Sequence, residues 1–388
     1  MERMFVGVFK MCLMKRGIYF VFIFCSLGIL EGFSQARPID KNATRETKNL
    51  FKALYKIQKI GTIFGHQHAT EYGRGWSGDA DRSDVKSVTG SHPGVIGIDF
   101  SGFSGANAAN YKVKLRQIVQ QHYAQGGVIT IAWHFNNPLG PGGFYWKDSL
   151  STPVVSRLIP GGDSHEMYKN ILADIADWVK SCKGPKGEAI PMIFRPYHEF
   201  DGNWFWWGAG HCSVEEFISI WRFTVDYLKD EHQVHNLLYA FSPDNKFLTE
   251  AKFLERYPGN SYVDLVGMDN YGDMGRNGYN LPKAIEKLLI VSNYAKKNNK
   301  LAAFTETGLE TIPNANWWTD VLLKVMKTEG LNLSYVLVWR NDIRSPTHYY
   351  APFPGQVSAP DFLKFYDDPF TLFLEDLRKK NIYRFKNN

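Results

Sequence analysis

One stretch decides the fold: Ile190-Pro191-Met192-Ile193-Phe194-Arg195-Pro196-Tyr197-His198-Glu199, followed at once by Phe200-Asp201-Gly202-Asn203-Trp204-Phe205-Trp206-Trp207-Gly208. The first part is an apolar run with β-strand character that ends in His-Glu, and the second is a turn rich in tryptophan. Period-2 alternation predicts that four residues share a face: Ile193, Arg195, Tyr197 and Glu199. If that face points into a barrel, Glu199 stands at its C-terminal mouth.

A second strand end matches the first about a hundred residues later. Leu301–Gly308 is a short apolar run that ends in a glutamate and a small-residue turn, and alternation places Ala302, Phe304 and Glu306 on one face. A single glutamate at a strand end is more often a solvated or ion-paired residue. Two such carboxyl groups beside tryptophans favour hydrolysis of a glycosidic bond, which needs one group to protonate the leaving oxygen and another to attack or to activate water.

Eight β-like runs alternate with helical segments. The predicted strands are 60–65, 94–100, 127–134, 190–199, 236–241, 262–270, 301–306 and 335–340. The predicted helices are 108–125, 164–181, 213–229, 282–297, 316–327 and 361–379. This alternation predicts an α/β protein of one closed (β/α)8 TIM barrel, with Glu199 ending the fourth strand and Glu306 the seventh. A doubly wound open sheet is the alternative, but no glycine-rich phosphate-binding turn follows the first strand.

Composition narrows the function further. The chain has 388 residues, of which 44% are hydrophobic and 22% charged, as expected for one large barrel. A net charge of +6 is too mild to indicate a nucleic-acid-binding protein. Aromatic residues make up 15% of the chain and include 11 tryptophans, a composition that suits stacking on sugar rings, although most of the phenylalanines are expected in the core. No cysteine-histidine spacing indicates a zinc site.

The N-terminal residues 1–36 are predicted to be a removable export signal, which leaves residues 37–388 as the barrel. Lys15 and Arg16 precede an apolar run from Ile18 to Leu30, and Ser34-Gln35-Ala36 offers a cleavage site of the small-x-small type. The run is short for a membrane span. The sequence therefore predicts an exported protein, periplasmic or extracellular, without a membrane span after cleavage. Met1 and Met14 both remain candidates for the true start.

Two cysteines remain after the predicted cleavage, Cys182 and Cys212. An exported protein invites the expectation of a disulfide. However, Cys182 precedes the fourth strand and Cys212 follows it, so that they are expected at opposite ends of a barrel strand of roughly 20 Å, whereas bridged Cα atoms lie within about 7 Å. We therefore predict two unpaired thiols.

Several motifs together resemble one known family. They are Arg195–Gly208, Thr305–Gly308, Phe64–His68, Ser91–Asp99, Trp133–Pro138, Gly267–Tyr271 and Val338–Asn341. In combination they resemble glycoside hydrolase family 26, the β-mannanase family of the clan A (β/α)8 barrels. The His-Glu-tryptophan segment is the specific signal, and the resemblance spans essentially the whole chain after the predicted signal.

The resemblance implies a β-1,4-mannanase that cleaves mannan, glucomannan or galactomannan with retention of configuration, without metal or other cofactor. It implies that Glu306 is the nucleophile and Glu199 the general acid and then base. Glu199 must be protonated to act first, and desolvation by the neighbouring indoles is expected to favour its neutral form. By the same resemblance, Tyr271 contacts the nucleophile, Asp269 helps to define the site, and His134 contacts the sugar before the cleavage point.

Four more residues are expected to bind substrate. His198 stands where most of the clan has asparagine, and it needs a bulge at the strand end to reach the site. Trp204 is expected to stack on the leaving-group sugar, and Trp339 and Arg340 match distal positions of the cleft. Without the resemblance, a satisfied core tyrosine or a structural histidine would explain Tyr271 and His134 as well.

Alternatives remain at this stage. One is another family 26 specificity, such as a mixed-linkage β-glucanase or a β-1,3-xylanase. A less favoured one is a non-catalytic carbohydrate-binding barrel, against which the presence of Glu199, Glu306, Asp269 and Tyr271 argues. We expect a monomer whose partner is the polysaccharide. Endo or exo attack depends on whether a segment such as Phe135–Gly162 closes the cleft.

Overall fold

Eight parallel strands form a closed sheet in the part of the chain that the structure describes, residues 36–148 and 152–384 of a computed structural model. They are β1 (Thr62–Gln67), β2 (Val95–Asp99), β3 (Val128–Trp133), β4 (Met192–Pro196), β5 (Leu237–Phe241), β6 (Leu265–Asp269), β7 (Leu301–Thr307) and β8 (Tyr335–Val338). Each strand pairs with the next, and β1 closes the sheet on β8 from Ile63↔Tyr335 to His66↔Val338. Every predicted run overlaps one of these strands, and the predicted (β/α)8 barrel is confirmed.

Short strands lie outside the closed sheet or extend it. Thr371–Leu372, here β9, adds to β1 through Thr62↔Thr371. Two hairpins stand on loops at the carboxyl ends of the strands: Tyr72–Gly73 with Trp76–Ser77 after β1, and Met274–Gly275 with Gly278–Tyr279 after β6. The second hairpin follows Tyr271 directly and forms part of the rim of the barrel mouth.

The longer helices are α1 (Arg45–Ile57), α2 (Ala108–Ala124), α3 (His165–Ser181), α4 (Val214–Asp226), α5 (Leu281–Lys297), α6 (Ala359–Asp367) and α7 (Leu374–Lys380). Shorter α-helical turns are Asp84–Thr89, Val155–Leu158, Glu250–Phe253 and Lys324–Met326, the 3₁₀ turns are Phe100–Phe103, Trp146–Asp148 and Asn260–Tyr262, and Tyr227–Glu231 and Trp318–Leu323 are π-helical. The predicted helices after the second, third, fourth and sixth strands are confirmed as α2 to α5. Ser213 caps α4 in a capping box with Glu216.

The prediction of a single last helix over 361–379 is wrong. The structure has α6 and α7 there, with β9 between them. Pro369 is the physical reason, because it disfavours helical geometry in the residue before it, and Asp368 is accordingly extended with ψ 124°. The chain uses this break to place β9 beside β1.

The barrel interior separates into an apolar bottom and a polar top. The lower inward-facing side chains form one buried cluster: Ile63, Val95, Val128, Ile193, Leu238, Leu265, Leu301 and Tyr335. Residues of α1, among them Leu50, Leu54 and Ile57, belong to the same cluster and close the bottom. The alternate residues, such as Phe194 and Phe304, pack outward against the helices. The polar side chains that face inward near the top therefore rest on a dry, rigid support.

Cys182 and Cys212 are both buried and unpaired, which confirms the prediction of two free thiols. Cys182 ends α3 below β4, and Cys212 lies in the loop between β4 and α4. Among the described residues, no helix has both the length and the apolar character needed to cross a membrane. The predicted export signal falls on residues 1–36 and, apart from Ala36, lies outside the described residues.

Candidate active site

Glu306 turns into the barrel because β7 is irregular at its end. The register of β7 against β6 shifts between Phe304 and Glu306. The prediction that Ala302, Phe304 and Glu306 share a face is wrong, since Phe304 packs in the outer layer while Glu306 contacts inward-facing side chains. The bulge adds one residue to the alternation and thereby moves the carboxyl group from the helix side to the barrel mouth.

The Glu306 carboxylate is held by two donors. Arg195 Nη2 donates to Oε1, and the Tyr271 hydroxyl donates to Oε2 over 2.8 Å. Glu306 is only 3% exposed, so these charge-assisted bonds form away from bulk water and fix the carboxylate in one orientation. The expected contact between Tyr271 and Glu306 is present.

Arg195 connects Glu306 to Asp269. Its Nη1 lies 2.8 Å from Asp269 Oδ2, and Thr305 Oγ1 donates to the other oxygen of Asp269 over 2.7 Å. Strand alternation predicted Arg195 on the inner face, but it predicted no role for this residue. A buried guanidinium requires carboxylate partners. An arginine on the predicted inner face was therefore the signal that it would pair with carboxylates inside the barrel.

Ligand-type atoms of His198, Asp269 and Glu306 lie within 4.8 Å of one another, a spacing that by itself suits a metal ion. Arg195 already supplies the positive charge between Asp269 and Glu306. A metal ion there would have to displace a buried guanidinium, so this arrangement fits the expectation of a site without metal.

Glu199 reaches the mouth through two left-handed residues. Strand β4 ends at Pro196, and Tyr197 and Glu199 have φ values of 49° and 53°. The prediction that Tyr197 faces inward is wrong, because its hydroxyl bonds to Thr224 in the outer layer over 3.0 Å. Positive φ at a non-glycine residue is strained, and here it brings both His198 and Glu199 to the cavity.

The Glu199 carboxyl group has a different environment from that of Glu306. Trp204 Nε1 donates to Oε2 over 2.7 Å. Burial raises the pKa of Glu199 well above its usual value, and the charges of Asp269, Glu306 and Asp244 raise it further, whereas the bond from Trp204 lowers it. The net direction favours a protonated carboxyl group, which a general acid needs. Desolvation acts as predicted, while the indole N–H acts against it.

His134 and His198 form a hydrogen-bonded pair beside the glutamates. His134 Nδ1 lies 2.5 Å from Asp99 Oδ2, and the two Nε2 atoms are 3.2 Å apart. If Asp99 accepts the Nδ1 proton of His134, then His134 Nε2 accepts from His198, whose Nδ1 is left without a described partner. Burial and then the nearby Arg195 hold the pKa of His198 well below its usual value, so this ring is neutral.

The cavity at the mouth has a volume of about 950 Å³. Seven of the nine predicted site residues line it: His134, His198, Glu199, Trp204, Tyr271, Glu306 and Trp339. Asp269 is fully buried beneath them. Arg340 is not part of the described lining, and its guanidinium instead contacts the Tyr72 hydroxyl at 3.1 Å and Asp342 at 3.0 Å.

Aromatic residues on the segments that follow the strands divide between cavity and core. Tyr145 and Trp204 line the cavity, and Tyr145 is 39% exposed. Trp317 and Trp318 are fully buried in the core. Tyr145 lies within the segment 135–162, where it forms a bridge to Phe205 and stacks on its ring.

The chain matches a known protein family. Residues 39–339 match the family model described as Glycosyl hydrolase family 26. The chain belongs to glycosyl hydrolase family 26. The resemblance drawn from the sequence motifs is thereby confirmed.

Family 26 relatives include two bacterial proteins named mannan endo-1,4-beta-mannosidase. The one from Bifidobacterium adolescentis is 37% identical over 283 residues, which are 69% of this chain and 27% of that relative. The one from Bacillus subtilis strain 168 is 25% identical over 325 residues, which are 79% of this chain and 82% of the relative. The chain thus spans about a quarter of the longer relative and most of the shorter one.

Solved family 26 structures have the same barrel. A GH26 β-mannanase from Bacteroides ovatus is 40% identical, with a TM-score of 0.81 over 89% of this chain and 99% of its own. GH26C from a Muricauda species is 36% identical, with a TM-score of 0.85 over 91% of this chain and 97% of its own. Both likenesses extend over nearly the whole part of the family 26 chain that the structure describes.

Proposed function

We propose that this protein is a retaining β-1,4-mannanase of the mannan endo-1,4-β-mannosidase type, acting on mannan, glucomannan or galactomannan. The observation that carries the proposal is the pair of glutamates in one cavity with opposite surroundings. Glu306 is oriented by Arg195 and Tyr271, and Glu199 lies in an environment that favours its proton. The names of the family 26 relatives supply the substrate class.

In the first step Glu306 attacks the anomeric carbon of the bound sugar. The bond from this carbon to the glycosidic oxygen breaks, and the leaving oxygen takes the proton of Glu199. The donors on Glu306 leave its carboxylate in a fixed position, so that little reorganisation is needed as the ester forms. Asp269 acts through Arg195, which it holds in place.

In the second step water attacks the same carbon, and the Glu306 carboxylate leaves. Glu199, now ionised, accepts the proton of the water molecule and returns to its starting state. Once Glu306 is esterified, its negative charge no longer disfavours ionisation of Glu199. The change of role thus follows from the electrostatics of the pair.

The remaining residues are proposed to bind sugar. His134, His198 and Trp339 lie together, with the His134 and Trp339 rings 5.6 Å apart, and they suit the sugar that becomes attached to Glu306. Trp204, bonded to the acid, suits the leaving-group sugar. Arg340 is assigned to a more distal contact, since its guanidinium lies next to Tyr72 and Asp342.

We also propose the setting in which the enzyme works. Residues 1–36 serve as a cleaved export signal, and residues 37–388 act as a monomer in the periplasm or outside the cell. The catalytic groups need no metal or other cofactor, because Arg195 provides the positive charge at the nucleophile. The substrate is a polysaccharide and not a nucleic acid, in keeping with the mild net charge of +6.

The test is product analysis of the purified protein on linear mannan, with cellohexaose and xylan in parallel. We expect manno-oligosaccharides from the wild type and none from Glu306→Ala. The size pattern of the products separates endo from exo attack.

Two other outcomes would contradict the proposal. Turnover of the glucan or the xylan alone would assign a different family 26 specificity. Binding without turnover on every substrate would favour a carbohydrate-binding barrel.

A further inference from the structure

The loop after β5 is fastened to the turn that carries the acid. The Asp201 carboxylate, two residues after Glu199, accepts the backbone N–H of Asp244 at 2.6 Å and that of Lys246 at 3.0 Å. Glu199 itself donates its N–H to the Ser242 carbonyl over 3.0 Å. Residues 244–246 are therefore held in fixed register with the Glu199 side chain.

A second anchor holds this loop from below. Lys287 Nζ donates to Asn245 Oδ1 at 3.1 Å and to Asp273 Oδ2 at 2.7 Å. Asp273 also accepts from Asn270 Nδ2 at 2.9 Å. Because the Lys287 side chain is only 3% exposed, its charge depends on these partners, and the loop belongs to a buried polar network.

The loop presents polar groups to the cavity next to Trp204. Asp244, Asn245 and Lys246 all line the cavity. The Lys246 ammonium lies 4.9 Å from the centre of a Trp204 ring. A β-carbon at Gly202 would come within 2.3–2.5 Å of three Trp204 ring atoms, so the Gly202 backbone covers part of the indole. A sugar must therefore stack on the part of the Trp204 ring that the Gly202 backbone leaves open.

Asp244 and Lys246 offer the two kinds of hydrogen bond that sugar hydroxyls make. The Asp244 carboxyl accepts from Asn245 Nδ2 at 3.0 Å and has further acceptor capacity, and the Lys246 ammonium is a donor on an exposed, movable stem. Contacts run from Glu199 to Trp204, from the Trp204 ring to the Lys246 ammonium, and from the Lys246 N–H to Asp201, two residues after Glu199.

We propose that residues 244–246 form the binding site for the sugar on the leaving-group side, with Asp244 and Lys246 hydrogen-bonding its hydroxyls while Trp204 stacks on its ring. This inference rests on the proposed function. The same site binds an acceptor sugar after the first step. The acceptor hydroxyl then attacks the anomeric carbon in place of water, Glu199 takes its proton, and the Glu306 carboxylate leaves. The loop therefore sets the ratio of transfer to hydrolysis.

The test measures that ratio in the full chain without its signal. Wild type, Lys246→Met and Asp244→Asn are incubated with concentrated mannotetraose in ¹⁸O-water, and mass spectrometry counts labelled hydrolysis products against unlabelled transfer products. We expect the ratio of transfer to hydrolysis to fall roughly 10-fold in each variant, as expected for loss of a hydrogen bond to a charged group. The loss of kcat/KM on mannotetraose should exceed that on an aryl mannobioside, whose leaving group has no sugar hydroxyls.

Lys252→Met is the matched control, because Lys252 is an exposed lysine on Glu250–Phe253 that pairs with Glu255. It should keep the wild-type ratio. Circular dichroism and the thermal midpoint identify a variant that has lost its fold. If one of Lys246→Met and Asp244→Asn is unfolded, the ratio of transfer to hydrolysis in the other variant decides the test.

An unchanged ratio in folded Lys246→Met and Asp244→Asn would overturn the inference. If the wild type cleaves a gluco- or xylo-oligosaccharide instead of mannotetraose, the proposed specificity fails, and the same variants test the loop on that substrate. A wild type that cleaves none of these overturns both proposals.

Discussion

The ends of β4 and β7 present the same side chain to the same cavity and surround it in opposite ways. Glu306 accepts from a guanidinium and a phenol and is 3% exposed. Glu199 accepts from one indole N–H, and burial raises its pKa well above the usual value. A cation beside one carboxylate and desolvation of the other give two identical residues the different properties that the proposed nucleophile and the proposed acid need.

The difference teaches that the division of roles comes from neighbours distant in sequence. Arg195 and Asp269 are separated by 74 residues and Arg195 and Glu306 by 111. The donor to Glu199, by contrast, is Trp204, five residues away on the same turn. Distant side chains therefore orient the proposed nucleophile. For the proposed acid, burial and distant carboxylates raise the pKa, and the bond from its own turn acts against them.

The largest effect is expected from Glu306→Ala. Removal of the nucleophile should lower kcat/KM on mannan by roughly 10⁴-fold or more. With an activated aryl mannobioside, azide should restore turnover and give the α-mannosyl azide, because azide then attacks the substrate directly with inversion. NMR determines the anomeric configuration of the product. A β-mannosyl azide would contradict the assignment of Glu306 as the nucleophile.

The next largest effect is expected from Glu199→Ala, and the loss of kcat/KM should depend on the leaving group. We expect about 10²–10⁴-fold loss on mannan, as is usual for a missing general acid. The loss should be much smaller for the first step on a substrate with a strongly acidic phenol as leaving group. Azide should here give the β-mannosyl azide through attack on the covalent intermediate, so that the two variants yield opposite anomers. Equal losses on both substrates would argue against an acid role.

Glu306→Gln and Glu199→Gln should change the free energy of unfolding in opposite directions. Glu306→Gln leaves the buried Arg195 with a weaker partner and should cost about 1.5–3 kcal/mol of unfolding free energy. Glu199→Gln should stabilise the protein. The folded-state pKa of Glu199 is raised, so stability from this group is greatest below the unfolded pKa of about 4.3 and is lost as the pH rises through the folded value.

Urea unfolding of wild type and both glutamine variants, at about pH 5, 7 and 9, measures these differences. The gain of Glu199→Gln over wild type should grow with pH across this range. A gain that stays constant with pH would show that Glu199 ionisation does not oppose folding.

The smallest effect is expected from Trp204→Phe on the pH profile. The indole N–H stabilises the ionised form of Glu199, so its removal should raise the pKa of Glu199. The alkaline limb of kcat/KM should therefore move to higher pH. Trp146→Phe is the control, because Trp146 stacks on His211. This variant should leave the alkaline limb of kcat/KM at its wild-type pH. A shift to lower pH would indicate that lost desolvation outweighs the lost hydrogen bond.

Sequence reasoning located both strand ends because an apolar run that ends in glutamate is a local signal. It also separated Cys182 from Cys212 correctly, because a strand of known length lies between them. It failed where the backbone departs from regular alternation. The bulge at Thr305 and the left-handed residues Tyr197 and Glu199 depend on contacts such as Thr305 with Asp269, which no periodicity encodes.

The long-range polar contacts could not be predicted from the sequence either. An inward-facing Arg195 could be expected to find carboxylates, but which ones depends on barrel closure. The bonds from Asp244 and Lys246 to Asp201 join two loops that are neighbours only because β4 and β5 are adjacent. Arg340 shows the converse, since it stands only two positions after β8 and yet is not part of the described cavity lining.

The pairing of β1 with β8 and β9 has a consequence for biosynthesis. Ile63 of β1 pairs with Tyr335 of β8, 272 residues later, so the closed sheet cannot form until β8 has been made. At a synthesis rate of about 5–20 residues per second, that delay is on the order of 15–60 s. Contacts of such high sequence separation also slow folding itself. The proposed export would require an unfolded chain, and this topology delays closure of the barrel in the same period.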